Sequence, residues 1–218
     1  MHMALNSTLL LGTRQNTRNL SPVSIRVGGE TVQESRCVKN LGVLFDRHLN
    51  WDAQVSNIVR QCTGLLIGIR HLRHFLPAKV LLTIVQGLVL SRLRYCISVY
   101  GNGSASNDAR LLKVVNFAVR VITGLRKYDH VSRARTDLRV LTPRQMCDLQ
   151  TAVMGHKAVM FGQPSELAGL FHTYSEARSG ERVTRQDNDL RPPSVRTAAG
   201  QRCFAYRAAC ILTSCRRR

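Results

Sequence analysis

The stretch WDAQVSNIVRQCTGLLIGIRHLRHF, residues 51–75, decides the fold class. Its apolar residues Val55, Ile58, Val59, Cys62, Leu65, Leu66, Ile69 and Leu72 recur at steps of three and four, which gathers them on one face of an α-helix. Asn50 or Asp52 is placed to cap the start, and Pro77 to end this helix and open the next. Gly64 and Gly68 weaken the middle. Such a pair suits close packing of membrane helices, but the arginines and histidines around it argue against a bilayer. His71 and His74, spaced i, i+3, could share a metal; with no third ligand in view, a solvated basic face is the preferred reading.

Upstream of this helix the period changes from 3.6 to 2. TLLLG at 8–12, VSIRV at 23–27 and VKNLGVLF at 38–45 read as short strands, separated by turn chemistry at Asn19–Pro22 and Gly28-Gly29. Gly28-Gly29 before Glu30-Thr31-Val32 predicts a tight hairpin. Downstream, a second helix is expected from Ala78 to Tyr100, stopped by GNGS, with Val80, Leu81, Ile84, Val85, Leu88, Val89 and Leu93 as its apolar set. A third runs from Asn107 to Leu125. Further helices are expected at 130–139, at 143–161 with Pro143 in the first turn, at 164–173, and from Cys203 to Thr213. Residues 178–202, arginine-rich and broken by Pro192-Pro193, read as a linker or extended arm. The expected class is α+β, mostly α: a strand unit over 1–48, a helical array over 49–176, a basic arm over 177–202, and a C-terminal helix with a basic tail over 203–218.

Composition points to the partner. Of 218 residues, 32 are Lys or Arg and 13 are Asp or Glu, a formal charge of +19. Only Lys39, Lys79, Lys113, Lys127 and Lys157 are lysines, so the excess is almost all arginine, whose planar fork takes two phosphate oxygens at once. A polyanion, most simply nucleic acid, is the expected ligand. Apolar residues make up 44% of the chain, enough for a core. No run approaches the roughly 18 apolar residues of a membrane span. MHMALNSTLLLGTR lacks the basic start of a signal peptide, so an intracellular location with reduced cysteines is expected. Cys203, Cys210 and Cys215 have uneven gaps and no nearby histidine, which disfavours zinc.

Catalytic patterns are lacking. The acids are scattered singly, so a two-metal site has no evident ligands. Asp187 and Asp189, flanked by Arg185 and Arg191, read as salt-bridging or turn residues. No GxxxxGK[ST], HExxH or GxSxG occurs.

Five blocks stand in an order that resembles the reverse transcriptases of LINE-type (non-LTR) retrotransposons, in the jockey/CR1-like group. They are VKNLGVLFDRHLNWDAQVSNIVRQC at 38–62, LVLSRLRYCISVYGN at 88–102, VVNFAVRVITGLRKYDHVS at 114–132, VLTPRQ at 140–145 and TRQDNDLRPPSVRTAAGQRCFAYRAA at 184–209. Together they span about residues 5–212. The resemblance implies the end of the palm followed by the helical thumb of an RNA-directed DNA polymerase, without the catalytic aspartates, which this family carries upstream of the matching region. It implies magnesium in the parent polymerase but no cofactor and no catalytic residue in this chain, which alone is expected to be inactive. Three features depart from the family: Leu5-Asn6-Ser7-Thr8 lacks the lysine of its LN-small-x-K-T element, Val140 stands where it has Trp, and Arg216 to Arg218 replace its WN-x-LP ending.

The implied partners are RNA, DNA or an RNA–DNA hybrid, held through phosphates, together with the fingers and palm of the parent protein. A nuclear location is implied because such elements copy themselves at chromosomal DNA; a cytoplasmic one is the alternative. The expected phosphate contacts are Arg60, Arg70 and Arg73 on the first helix, beside His71 and His74. Arg92 on the second, and Arg126 and Lys127, beside His130, closing the third, complete the main set. Helix capping is the competing role for the last group. Asn116 and Arg120, spaced i, i+4, are expected either at RNA or in a hydrogen bond between helices. Arg92 and Arg94 cannot share a face; Leu88, Leu93 and Val99 would turn to the core. Tyr95 and Tyr100 would stack or pack, packing being preferred, and Cys96 reads as a small buried hydrophobe. The alternatives to a polymerase thumb are a basic module binding nucleic acid or protein, and a relic of the element without function.

Overall fold

A computed structural model describes residues 8–18, 20, 23–177 and 187–216. Leu5 to Ser7, most of the Asn19–Pro22 turn, Arg185, the first part of the basic arm and Arg217-Arg218 lie outside the described residues. The chain forms two compact units. The first holds the residues up to Cys96 together with Gly103–Val140, and the second holds Ile97–Asn102 with the residues from Leu141 onward. This division departs from the composition boundaries, since the expected helical array over 49–176 contributes to both units.

In the first unit a short helix α1 (Arg14–Thr17) starts at Thr13, whose hydroxyl accepts from the Asn16 amide at 3.2 Å. Strands β1 (Ser24–Val27) and β2 (Glu30–Gln33) pair antiparallel across Gly28-Gly29. Both glycines have positive φ, 59° and 89°, as a two-residue hairpin turn demands. The expected strand at 8–12 is reduced to a single bridge between Thr8 and Glu34. Beyond it the backbone turns away, and the Gly12 amide bonds the Arg47 carbonyl.

VKNLGVLF is two strands and not one. β3 (Cys37–Asn40) and β4 (Val43–Asp46) close a hairpin across Leu41-Gly42, with φ of 45° and 83°. Leucine seldom occupies this left-handed region. Here its carbonyl accepts the Tyr95 hydroxyl at 2.7 Å.

Helix α2 (Asp52–Leu72) follows. Neither expected cap acts as one. Trp51, at φ 67°, is the cap residue, and the Asp46 carboxylate fixes the turn by accepting from the Asn50 and Trp51 amides at 3.0 and 2.8 Å. Phe45 meets Trp51 edge-on at 5.2 Å, and the Leu44 amide donates to Gln54, so the hairpin is docked on the helix start.

The expected second helix is broken. It comprises α3 (Ala78–Val85), a π-helical turn at Gln86–Leu90, α4 (Ser91–Arg94) and, after a kink, α5 (Ile97–Tyr100). The kink comes from Tyr95 at ψ 118° and Cys96 at φ 53°. A π-turn fits an extra residue into the helix and shifts its phase. Leu88, within the π-turn, is exposed, and so is Val99, beyond the kink, while Leu93 is fully buried as expected. Cys96 is half-buried at the kink.

Helix α6 (Ala105–Thr123) begins at Ser104, which caps Asn107, and ends at Gly124 with φ 81°. It lies parallel to α2. Asn107 donates to the Asn50 carbonyl and the Asp52 carboxylate at 3.0 and 2.9 Å at the start, Arg110 meets Ser56 at 2.8 Å, and Arg73 lies against Gly124 at the end. Between them Val55, Ile58, Cys62 and Leu66 of α2 share a core with Leu111, Val115 and Ala118 of α6 and with Leu81, Val85 and Val89. α7 (Ser132–Asp137) completes this unit.

In the second unit α5 packs on α8 (Pro143–Phe161), which carries the expected proline in its first turn and a reciprocal cap between Thr142 and Gln145. α9 (Ser165–Ala168) leads to β5 (His172–Thr173), which pairs with β6 (Leu190–Arg191). The described part of the expected arm is mixed: residues 187–189 make the turn into β6, residues 192–196 run without regular structure, as expected of an arm, and α10 (Ala198–Gln201) is capped by Thr197. α11 (Phe204–Arg216) packs on α8. Its Arg207 is buried and pairs with the Asp148 carboxylate.

Candidate nucleic-acid interface

Because α2 and α6 run parallel, their C-terminal ends meet, and the cations that follow each end collect there. Arg70 lies in the last turn of α2, and Arg73 just after it. Oriented carbonyls at a helix C-terminus favour positive charge, which offsets some of the repulsion within such a cluster. Arg73 rests on Gly124: a Cβ built there would come within 2.6 Å of Arg73 Nη2. From Gly124 the chain enters the loop that carries Arg126, Lys127, Tyr128 and His130.

That loop is held from inside. Arg120 Nε donates to the Arg126 carbonyl at 3.1 Å and its Nη2 to the Asp129 carbonyl at 3.2 Å, while the Arg126 amide donates to the Asp129 carboxylate at 2.7 Å. Arg120 therefore spends its fork on backbone and acts as a staple for the loop. Asn116 accepts from Arg135 Nη1 at 3.5 Å, so it is tied to α7. The side chains of Arg126, Lys127 and His130 are left exposed, and Gly124 serves as the residue that ends α6.

A second cationic group lies further back along α2. Arg60 and Gln61 both bond Asn57 Oδ1, at 3.4 and 3.1 Å, and Arg92 of α4 reaches Gln61 Oε1 at 3.2 Å. Arg94 is half-buried. Arg60 stands ten residues before Arg70, about 15 Å along a helix axis. Between the two groups the exposed face of α2 carries Gly64, Ile67, Gly68 and His71. Cβ atoms added at either glycine would meet nothing within 4 Å. Beside this face, a groove of about 240 Å³ between α2 and α6 is floored by Val59, Val114 and Phe117 and edged by Arg110 and Lys113.

The tyrosines of the second helix are structural. Tyr100 is fully buried, and Tyr95 holds the β3–β4 turn, its ring lying 3.5 Å from a Cβ built on Gly42. Tyr95 still keeps 53% of its surface and Phe161 68%, but the two most exposed aromatic residues lie elsewhere. Tyr128 is 86% and Phe75 is 82% exposed, each in the loop beyond one of the two converging helix ends. Lys127 Nζ sits 5.4 Å from the Tyr128 ring centroid, a cation–π contact. Neither ring stands out in the sequence, because each continues a step of three from an apolar residue, Phe75 from Leu72 and Tyr128 from Leu125, as a core residue would; their only other signal is their place among Arg and Lys.

Cys62 is buried between α2 and the π-turn, its thiol donating to the Val89 carbonyl at 3.8 Å. Burial pushes its pKa up to about 11, with Arg92 drawing it partly back. All seven cysteines are free thiols. Among the described residues no three of His, Cys, Asp and Glu gather to hold a metal ion, so a donor set for magnesium is not found among them. Among the same residues no helix is long and apolar enough to cross a membrane. No protein-family model, curated protein or solved structure matches the chain.

Proposed function

We propose that this chain grips nucleic acid, as the C-terminal palm end and thumb of a reverse transcriptase of the non-LTR retrotransposon type. The observation that carries the proposal is the convergence of Arg70, Arg73, Arg126 and Lys127 at the common end of α2 and α6, on a chain of charge +19. A packed helix pair whose adjoining ends carry four cations suits phosphate contact, which fixes the position of a duplex without reading its sequence. Arg60 and Arg92 offer further contacts along α2. On this reading magnesium and the catalytic aspartates belong to the rest of the parent polymerase, and the chain works where that polymerase does, in the nucleus or cytoplasm.

Fluorescence anisotropy with an RNA–DNA hybrid and with single-stranded RNA, across a salt series, tests the proposal. A thumb predicts tighter hybrid binding, with log K falling linearly against log salt at a slope of roughly −0.9 per phosphate neutralised on B-form duplex. Equal weak binding that vanishes at moderate salt would leave only the net charge acting. Steady primer extension by the purified chain with magnesium and dNTPs would overturn the inactive reading.

A protein-interaction module is the second reading. Leu149, Val153 and Met160 form an exposed apolar stripe on α8, 53%, 47% and 64% accessible. Exposed patches of this kind mark contacts with other polypeptides.

A further inference from the structure

We infer that the end of the α2–α6 pair is a stacking site for unpaired nucleobases, with Tyr128 and Phe75 as the platforms. The inference rests on the nucleic-acid reading above and adds to it a ligand class, single-stranded nucleic acid, that phosphate contacts alone would not select.

Two large rings are left in water at 86% and 82% exposure, although half-burying either would be favourable. Each lies beyond the C-terminal end of its own helix, and the two ends are brought together where Arg73 rests on Gly124. Tyr128 is carried by a loop that Arg120 and Asp129 pin at three hydrogen bonds, so the ring is presented from a fixed backbone. Lys127 lies over the ring at 5.4 Å, close enough for the same ammonium to serve a phosphate beside a stacked base.

The surroundings decide the occupant. Lys127 lies over the Tyr128 ring, Arg73 rests on Gly124, Arg70 and Arg126 sit two to five residues from a ring in sequence, and the acid of the loop, Asp129, has its carboxylate turned to the Arg126 amide. Cations interleaved with exposed aromatic rings match a strand that offers a phosphate and a π-face at every step. An apolar protein partner would leave these cations desolvated and unpaired. A base-paired duplex would use them but would hide its base faces from the rings.

The test compares the full chain's affinity for a short labelled oligothymidylate and for an abasic deoxyribose-phosphate strand of the same length and charge. The base-bearing strand is expected to bind about fivefold tighter or more. Tyr128→Ala and Phe75→Ala should each bring that ratio toward one, with abasic-strand affinity and its salt slope unchanged, while Tyr128→Phe keeps the ratio. Both rings are exposed, so these variants do not threaten folding. Equal binding of the two strands by the unaltered chain, or a ratio that survives both alanine variants, overturns the stacking site alone. No binding to either strand while an RNA–DNA hybrid is still bound overturns the stacking site alone, and no binding to the hybrid either overturns the phosphate grip as well.

Discussion

Arg73 lies on Gly124, so close that a Cβ at 124 would stand 2.6 Å from its Nη2. This contact joins the end of α2 to the end of α6 and sets where the cationic loop begins. Gly124 also sits at φ 81°, which an L side chain adopts only with strain. Gly124→Ala is therefore expected to destabilise the chain by about 1 kcal/mol or more and to displace Arg73. Denaturant melts should show the loss, and hybrid affinity in low salt should fall further than stability alone requires. An unchanged melt and affinity would mean that the two ends are joined by other contacts.

The cations at this end divide by what they already bond. Arg70 and Lys127 are exposed, and their alanine variants should weaken hybrid binding while making the salt slope shallower by about one each. Arg120 differs because its fork is spent on the Arg126 and Asp129 carbonyls. Arg120→Ala should release the whole loop, so affinity drops by more than one phosphate's share and amide exchange quickens over 124–130. If Arg120→Ala behaves like Lys127→Ala in both measurements, the staple is not what positions the loop.

The Tyr95 hydroxyl reaches the Leu41 carbonyl across the first unit. It holds a hairpin whose turn places leucine in the left-handed region, and hairpins of two strands are marginal by themselves. Tyr95→Phe should speed amide exchange in β3 and β4 while leaving α6 protected. Exchange that is unaltered in the hairpin would show that docking of Phe45 on Trp51 suffices.

The long elements were legible in the sequence and the interruptions were not. α2, α6 and α8 carry steps of three and four with proline, serine, threonine or glycine near their ends, and these signals are local. The π-turn at Gln86–Leu90 and the kink at Tyr95–Cys96 leave the composition unchanged but break the single helical phase that would have turned Leu88 and Val99 to the core. Leu41-Gly42 was hidden because leucine is a poor turn former, and its support comes from Tyr95, distant in sequence. In the candidate site the arginines could be counted but not sorted. Whether a fork is free depends on carbonyls, as at Arg120, or on an amide from another helix, as at Arg92. Tyr128 needed the structure, since its exposure follows from a loop pinned by backbone contacts.

In the second unit Arg207 is 8% exposed and pairs with Asp148, whose side chain keeps 37% of its surface. Burial draws the Arg207 pKa down, and Cys147 and Asp148 act against that. Removing the guanidinium leaves a carboxylate that water still reaches in part, so Arg207→Leu should cost about 1–3 kcal/mol, below the range for a fully buried pair. Because this pair ties α11 to α8, the loss should appear in thermal melts and in faster proteolysis near the C-terminus. Nucleic-acid affinity at low temperature should hold if the first unit alone carries the grip.

The cysteines give a last test, of the core itself. Cys37, Cys203, Cys210 and Cys215 are exposed, whereas Cys62 and Cys147 are buried. Native protein should therefore expose those four thiols to a disulfide reagent at once, and yield Cys62 and Cys147 only on unfolding. For both buried thiols burial is the main cause of a raised pKa, reaching about 11 at Cys62 from an ordinary 9.0. A raised acid binds its proton more tightly in the folded chain, so its contribution to stability is whole below the unfolded value. It is lost as pH climbs from about 9 through about 11, because the unfolded thiol ionises first. Cys62→Ala should show a shallower alkaline fall in stability than the parent chain across that window, even though its stability at neutral pH is lower. Parallel alkaline falls for the two proteins, or fast native labelling at Cys62, would mean that water reaches the seam between α2 and the π-turn.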